Sequence, residues 1–144
     1  LANTSRPNNT VMGFDSDGER IELPIERGTQ TEPGLIVYRF SANLYYANAP
    51  RLVEDVRTLF KTPPVPVRMF VLDSSEIQTV DWTSAEAIRK AIQMVHDAEA
   101  EFVIARLPAE ARSTLDYFEI TDLIGPEHFF DTVRHALQHF AEGE

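Results

Sequence analysis

Pro33-Gly34-Leu35-Ile36-Val37-Tyr38-Arg39-Phe40-Ser41-Ala42-Asn43-Leu44-Tyr45-Tyr46-Ala47-Asn48-Ala49 is the stretch whose reading decides the fold. Leu35 to Phe40 is apolar on both alternating phases except at Arg39, the pattern of a strand covered on both faces. A short polar-aromatic loop follows. Asn48 then offers an N-cap, and Pro50 falls in a first helical turn, where its missing N–H costs nothing. Leu52, Val53, Val56, Leu59 and Phe60 recur at helical spacing until Thr62-Pro63-Pro64-Val65-Pro66 stops the helix.

The same alternation repeats downstream. Val67 to Leu72 reads as a second buried strand and Phe102 to Leu107 as a third. Between them lie a loop from Asp73 to Trp82 and a helix with Ala85, Ile88, Ile92 and Val95 on one stripe. Thr83-Ser84-Ala85-Glu86 matches a capping box, with Thr83 capping and Glu86 reaching back. Pro108 opens a helix with Ala111, Leu115 and Phe118 inward, and Gly125-Pro126 breaks the chain. Asp131 or Thr132 caps a last helix bearing Val133, Ala136, Leu137 and Phe140. Upstream, Val11 to Phe14 and Arg20 to Ile25 read as short strands around Asp15-Ser16-Asp17-Gly18, and Asp-Gly signals a hairpin. Buried strands alternating with helices predict an α/β fold with a mainly parallel sheet and right-handed crossovers. In such a sheet, ligands and partners gather beyond the carboxyl ends of the strands, here Ser41 to Asn48, Asp73 to Ser84 and Leu107 to Glu110.

At 144 residues the chain is expected to form one domain with a real core. No stretch approaches the ~18 to 20 apolar residues of a membrane span, and there is no signal-peptide pattern. The chain opens on Leu1 rather than methionine, which reads as a fragment of a longer protein. Cysteine is absent, so disulfide and thiolate chemistry are excluded. A net charge of -10 disfavours nucleic acid and direct adhesion to anionic lipid.

Two blocks carry a resemblance. The first is Pro33 to Ala49. The second is Phe70-Val71-Leu72-Asp73-Ser74-Ser75 with Val80-Asp81-Trp82-Thr83-Ser84-Ala85. Together they resemble the STAS domain of bacterial SulP-type anion transporters, and Pro33 to Ala49 resembles the transporter branch specifically. Phe102 to Arg106 and Phe130 to Leu137 also fit the family. The sequence departs from the family pattern at Trp82, where a small hydroxyl residue is usual, and at Ser84, where glycine is usual.

The resemblance implies a single α/β STAS-like domain over residues 20–144, with about four to six strands and about four to five surrounding helices. Residues 1–19 would be a flexible lead-in from a membrane domain, with room for a short strand. It implies a non-catalytic regulatory or docking tail of a sulfate-like anion transporter, at the cytoplasmic face of the inner membrane. Its partners would be the transmembrane domain of its own transporter and a cytoplasmic protein such as acyl carrier protein. Nucleotide binding is implied at family level only, with no other cofactor. Acyl carrier protein is acidic, so docking it to a -10 surface requires a local basic patch, for which Arg39, Arg51, Arg57 and Lys61 are the nearest candidates. The alternative is a free-standing switch of the anti-sigma-factor-antagonist type, with Thr83 as phosphoacceptor.

The expected surface is the pair of strand-end loops, with Asn43, Tyr45, Tyr46, Asn48, Ser74, Asp81, Trp82, Thr83 and Ser84 as binding residues. Trp82, read as a loop residue, is either an interface anchor or a ring folded back over the sheet end, and the same two readings apply to Tyr45 and Tyr46. Thr83 and Ser84 at a helix N-terminus serve as caps, and could also meet a phosphate. Asp73, Glu76 and Asp81 cluster at a strand end where a receiver-type domain would hold Mg²⁺, but the acidic pair and the lysine such a domain needs are missing; turn shaping is the simpler role. His135 and His139 have the i, i+4 spacing of metal ligands. The apolar stripe faces away from them, so both are expected in solvent, with His128 too distant to help and no metal bound. No nucleophile–base pair or phosphate loop is evident, and no enzyme activity is expected.

Overall fold

Three five-residue parallel strands, β3 (Leu35–Arg39), β4 (Met69–Asp73) and β5 (Glu101–Ala105), form the centre of the structure, a computed structural model that describes residues 9–143. Their register is continuous: Ile36 lies opposite Phe70, and Phe70 opposite Phe102. On one side β1 (Thr10–Phe14) runs antiparallel to β3 and pairs in turn with β2 (Arg20–Leu23). On the other, the two-residue β6 (Phe129–Phe130) lies parallel to β5. The sheet order is β2-β1-β3-β4-β5-β6. The predicted hairpin exists, and because β1 sits inside the sheet, the sheet reaches back to Thr10. The lead-in expected over the first residues lies, for residues 1–8, outside the described residues.

Helices α1 (Ala49–Phe60), α2 (Trp82–Asp97) and α3 (Ala109–Tyr117) follow β3, β4 and β5 in turn. A four-residue α4 (Thr121–Ile124) and a 3-10 turn at Pro126–His128 lead to β6, and α5 (Val133–Glu142) closes the described chain. The helix pattern did not reveal α4, since one turn is too short to show a period. Nor did it reveal β6, whose two residues carry no alternation.

Side-chain alternation divides the core in two. Ile36, Tyr38, Phe70, Leu72, Phe102 and Ile104 pack with α1, α2, α3 and α4. Leu35, Val37, Met69, Val71, Val103 and Ala105 point the other way and pack with Val133, Ala136 and Phe140 of α5. Gly34, at φ +87°, makes the turn into β3 that a side chain would resist, and its carbonyl accepts from the N–H groups of Arg68 and Met69.

Two helix starts differ from expectation. Asp81, not Thr83, caps α2: its carboxylate accepts from the Ser84 N–H at 2.7 Å. Glu86 does not reach back to close a capping box but pairs with Arg89 at 3.2 Å. The reason is a start two residues earlier than predicted, which makes Trp82 the first helical residue rather than part of the loop. Asn48 occupies the position before α1, yet its side chain makes no cap bond to the helix. At the last helix the choice resolves to Thr132, whose hydroxyl accepts from the His135 N–H at 3.0 Å.

Candidate functional site

The loops after β3 and β4 are joined by one side chain. Asn43 Oδ1 accepts from the backbone N–H groups of Gln78 at 2.9 Å and Thr79 at 3.1 Å, and its Nδ2 donates to the Thr79 hydroxyl at 3.2 Å. Asn48 braces the first loop from within, accepting from the Tyr45 N–H at 2.8 Å and donating to the Asn43 carbonyl at 2.8 Å. Leu44 and Ile77 anchor the two loops from below, both fully buried. The two asparagines thus fix a shape rather than offer free polar groups.

Upon this base stand exposed rings. Tyr45 and Tyr46 are 47% and 69% exposed and meet nearly perpendicular at 5.8 Å. Trp82 is 62% exposed and lies 5.8 Å from the Phe118 ring, which in turn contacts Tyr117 at 5.2 Å. The Tyr46 backbone N–H helps to stabilise the Asp81 carboxylate, linking the tyrosines to the start of α2. The result is a rim of aromatic rings beyond the carboxyl ends of the strands. Neither of the two readings of Trp82 is complete, because one part of its ring packs on Phe118 while most of it meets solvent. Tyr117, 81% exposed, was missed because a single aromatic at the end of a short helix gives no signal by itself.

The charged groups of the site are already engaged. Asp73 is fully buried and takes a two-pronged hydrogen bond from Arg106, with Nε to Oδ1 and Nη2 to Oδ2 both at 2.9 Å. That bond raises the Arg106 pKa above its ordinary value. Glu76 lies 3.7 Å from Arg39. Hydrogen bonds from Ser84 hold the Asp81 carboxyl below the usual carboxylate range. Asp73, Glu76 and Asp81 therefore have separate partners, and among the described residues they form no ligand set for a cation. Asp81 does shape the turn as expected, whereas Asp73 serves an ion pair instead.

Two predicted binding residues are corrected by burial. Ser74 is fully enclosed, and its hydroxyl donates to the Ala105 carbonyl at 2.9 Å, tying β4 to β5. Ser84 is likewise enclosed beneath the first turn of α2. Thr83, between two residues of opposite fate, is exposed. The histidines are corrected too: His135 is exposed, but His139 turns from it to Glu101 and His128.

A separate cleft of about 520 Å³ lies beside α1, lined by Asn9, Leu23, Arg51, Glu54 and Asp55 among others, with none of the loop residues. At its base the Tyr38 hydroxyl donates to Asp55 Oδ2 at 2.6 Å, and Asn9 Nδ2 donates to both. Burial raises the Asp55 carboxyl above its ordinary value, against the hydrogen bonds from Tyr38 and Asn9.

A family model described as the STAS domain matches residues 27–136. The probable sulfate transporter Rv1739c of Mycobacterium tuberculosis is 30% identical over 142 residues, which cover 97% of this chain and 25% of that protein. The chain thus spans about a quarter of the length of the curated relatives it matches. Among solved structures, the murine Slc26a9 anion transporter in the inward-facing state aligns with a TM-score of 0.76 at 16% identity, over 99% of this chain and 23% of that one. The STAS domain of a Vibrio cholerae SulP transporter aligns with a TM-score of 0.60 at 17% identity, over 75% of this chain and 84% of that one. At those identities the structural matches speak for the fold. No helix among the described residues is long and apolar enough to cross a membrane.

Proposed function

This chain belongs to the STAS domain family, and from that premise we propose that it is the regulatory or docking domain of a SulP-type anion transporter. It works at the cytoplasmic face by binding its own membrane domain or a cytoplasmic protein, without catalysis. The observation that carries this reading is the aromatic rim. Tyr45, Tyr46 and Trp82 are large, exposed and mounted on loops that Asn43 locks together, so a partner meets a surface already in its bound shape. Aromatic anchors of this kind dominate the energetics of protein interfaces.

The rim favours an apolar or aromatic partner surface over a strongly acidic one. Of the basic residues offered as a patch, Arg39 is paired with Glu76, and Arg57 lies 2.6 Å from Glu54. Acyl carrier protein would have to displace those pairs.

The test is sulfate uptake by the full-length transporter in proteoliposomes, with Tyr46→Ala and Trp82→Ala combined. Both rings are mostly exposed, so the fold and its melting temperature are expected to survive. Uptake is expected to change at least tenfold, the effect of losing roughly 1.4 kcal/mol of coupling. Unaltered uptake in a folded, correctly inserted variant would remove the rim from the function.

The phospho-switch reading retains one observation in its favour. Thr83 is exposed on the first turn of α2, where a phosphate would meet the positive end of the helix dipole. Incubation with the cognate kinase, followed by mass analysis, decides it: an unmodified Thr83 ends that reading.

A further inference from the structure

At the opposite end of the parallel strands, far from the rim, three side chains from three elements converge. Glu101 is the first residue of β5, His128 ends the 3-10 turn, and His139 lies on α5. Alternation explains the meeting. Glu101 shares a register row with Leu35 and Met69, which face α5, so its side chain rises on that same face. Glu101 Oε1 lies 2.9 Å from Nε2 of His139 and 3.1 Å from Nε2 of His128. The two imidazole rings stand 5.8 Å apart, and the Phe130 ring backs His139 at 5.3 Å.

The hydrogen bonding of His128 makes this more than proximity. Its Nδ1 lies 2.6 Å from the Ile124 carbonyl. A carbonyl oxygen only accepts, so Nδ1 carries the proton. Nε2 is thereby the ring nitrogen that faces the Glu101 carboxylate and is placed to serve as a ligand atom. Donation of the far ring N–H to a backbone carbonyl is also how metal-bound histidines are oriented.

We propose that Glu101, His128 and His139 form a binding site for a divalent transition-metal ion, with Zn²⁺ the best fit. Two imidazoles and one carboxylate are a Zn²⁺-type donor set, whereas Mg²⁺ and Ca²⁺ take oxygen ligands. A tetrahedral ion with bonds of about 2.0–2.1 Å spaces its ligands about 3.3 Å apart. The observed distances need only a slight opening, and the three ligand atoms all lie within 4.8 Å of one another. Each ligand is partly exposed, which leaves the fourth position to water or to a group from a partner. A bound ion would clip α5 and the turn before β6 to the start of β5. The expectation of no metal rested on pairing His139 with His135, and the fold supplies different companions.

The experiment is calorimetric titration of ZnCl₂ into this chain, free of any affinity tag, in the presence of excess Mg²⁺. One equivalent should bind, and the melting temperature should rise with Zn²⁺. His139→Gln and Glu101→Gln should each weaken binding tenfold or more and abolish the melting shift. His135→Gln, one helical turn away, should change neither. Absence of saturable binding overturns the proposal, as does binding that survives both His139→Gln and Glu101→Gln, or that falls equally with His135→Gln. Glu101 is half-exposed, so its variant tests the site even where a histidine change disturbs folding.

Discussion

The sheet face beneath α1 and α2 and the face beneath α5 are built from different side chains, although they share the same three strands. The first carries a row of rings: Tyr38 lies 5.6 Å from Phe70, Phe70 lies 5.5 Å from Phe102, and Phe60 of α1 closes in at 5.9 Å. The second carries Leu35, Val37, Met69, Val71, Val103 and Ala105, and meets one helix. Each face also buries one acid, and treats it differently. Asp55 of α1 is met by neutral donors from Tyr38 and Asn9, while Asp73 of β4 is met by the Arg106 guanidinium. Bulk and helix cover go together: the face with the larger rings is covered by α1, α2, α3 and α4, and the aliphatic face by α5 alone.

That contrast can be broken by truncation. Phe70→Ala should cost about 3–5 kcal/mol, because its neighbours on three sides cannot collapse into the void. Val71→Ala, the adjacent residue on the opposite face, removes two methyl groups and should cost about 2 kcal/mol. Urea denaturation of both variants measures the difference, and equal losses would show that the two faces are energetically alike. Next in size is Asp73→Asn, expected to lose about 2–3 kcal/mol, less than a fully buried pair because the Arg106 side chain is partly open to water. A loss under about 0.5 kcal/mol would mean that the pair is as weak as a surface one.

The smallest effects are those of pH, and they have opposite signs. Asp81→Ala should cost about 1 kcal/mol as a lost cap. Because the folded Asp81 pKa is lowered, its contribution is present above the unfolded carboxylate value of about 3.9 and lost as pH falls through the folded value. Asp55, raised by burial, works in reverse. It opposes folding increasingly as pH climbs from the unfolded value to the folded one, and the penalty persists above that. Stability curves from pH 3 to 7 should therefore show a smaller acid fall in Asp81→Asn and gain stability toward neutrality in Asp55→Asn. Curves parallel to that of the unaltered chain would remove both assignments.

The order of elements was legible because strands covered on both faces and amphipathic helices leave different periods in the sequence. The strands read at Leu35 to Phe40 and Val67 to Leu72 and the helix after Asn48 come directly from that contrast, and stand at Leu35–Arg39, Met69–Asp73 and Ala49–Phe60. What escaped was set by geometry between distant segments. The capping-box pattern points to Thr83, yet α2 starts at Trp82 with Asp81 as its cap. Ser74 and Trp82 sit in one polar-aromatic segment, yet sheet pairing buries the first and the helix start exposes the second. The Asn43 bridge spans 35 residues to Gln78, and Glu101 meets His139 across 38, separations at which local pattern carries no information.

The sheet order places its least pairing-prone strands outermost. At one border β6 has only two residues; at the other, β2 is four residues long with Arg20 and Glu22 among them. Short and charged margins of this kind resist the addition of a foreign strand. Borders of this kind, among the described residues, disfavour extension of the sheet into a neighbour.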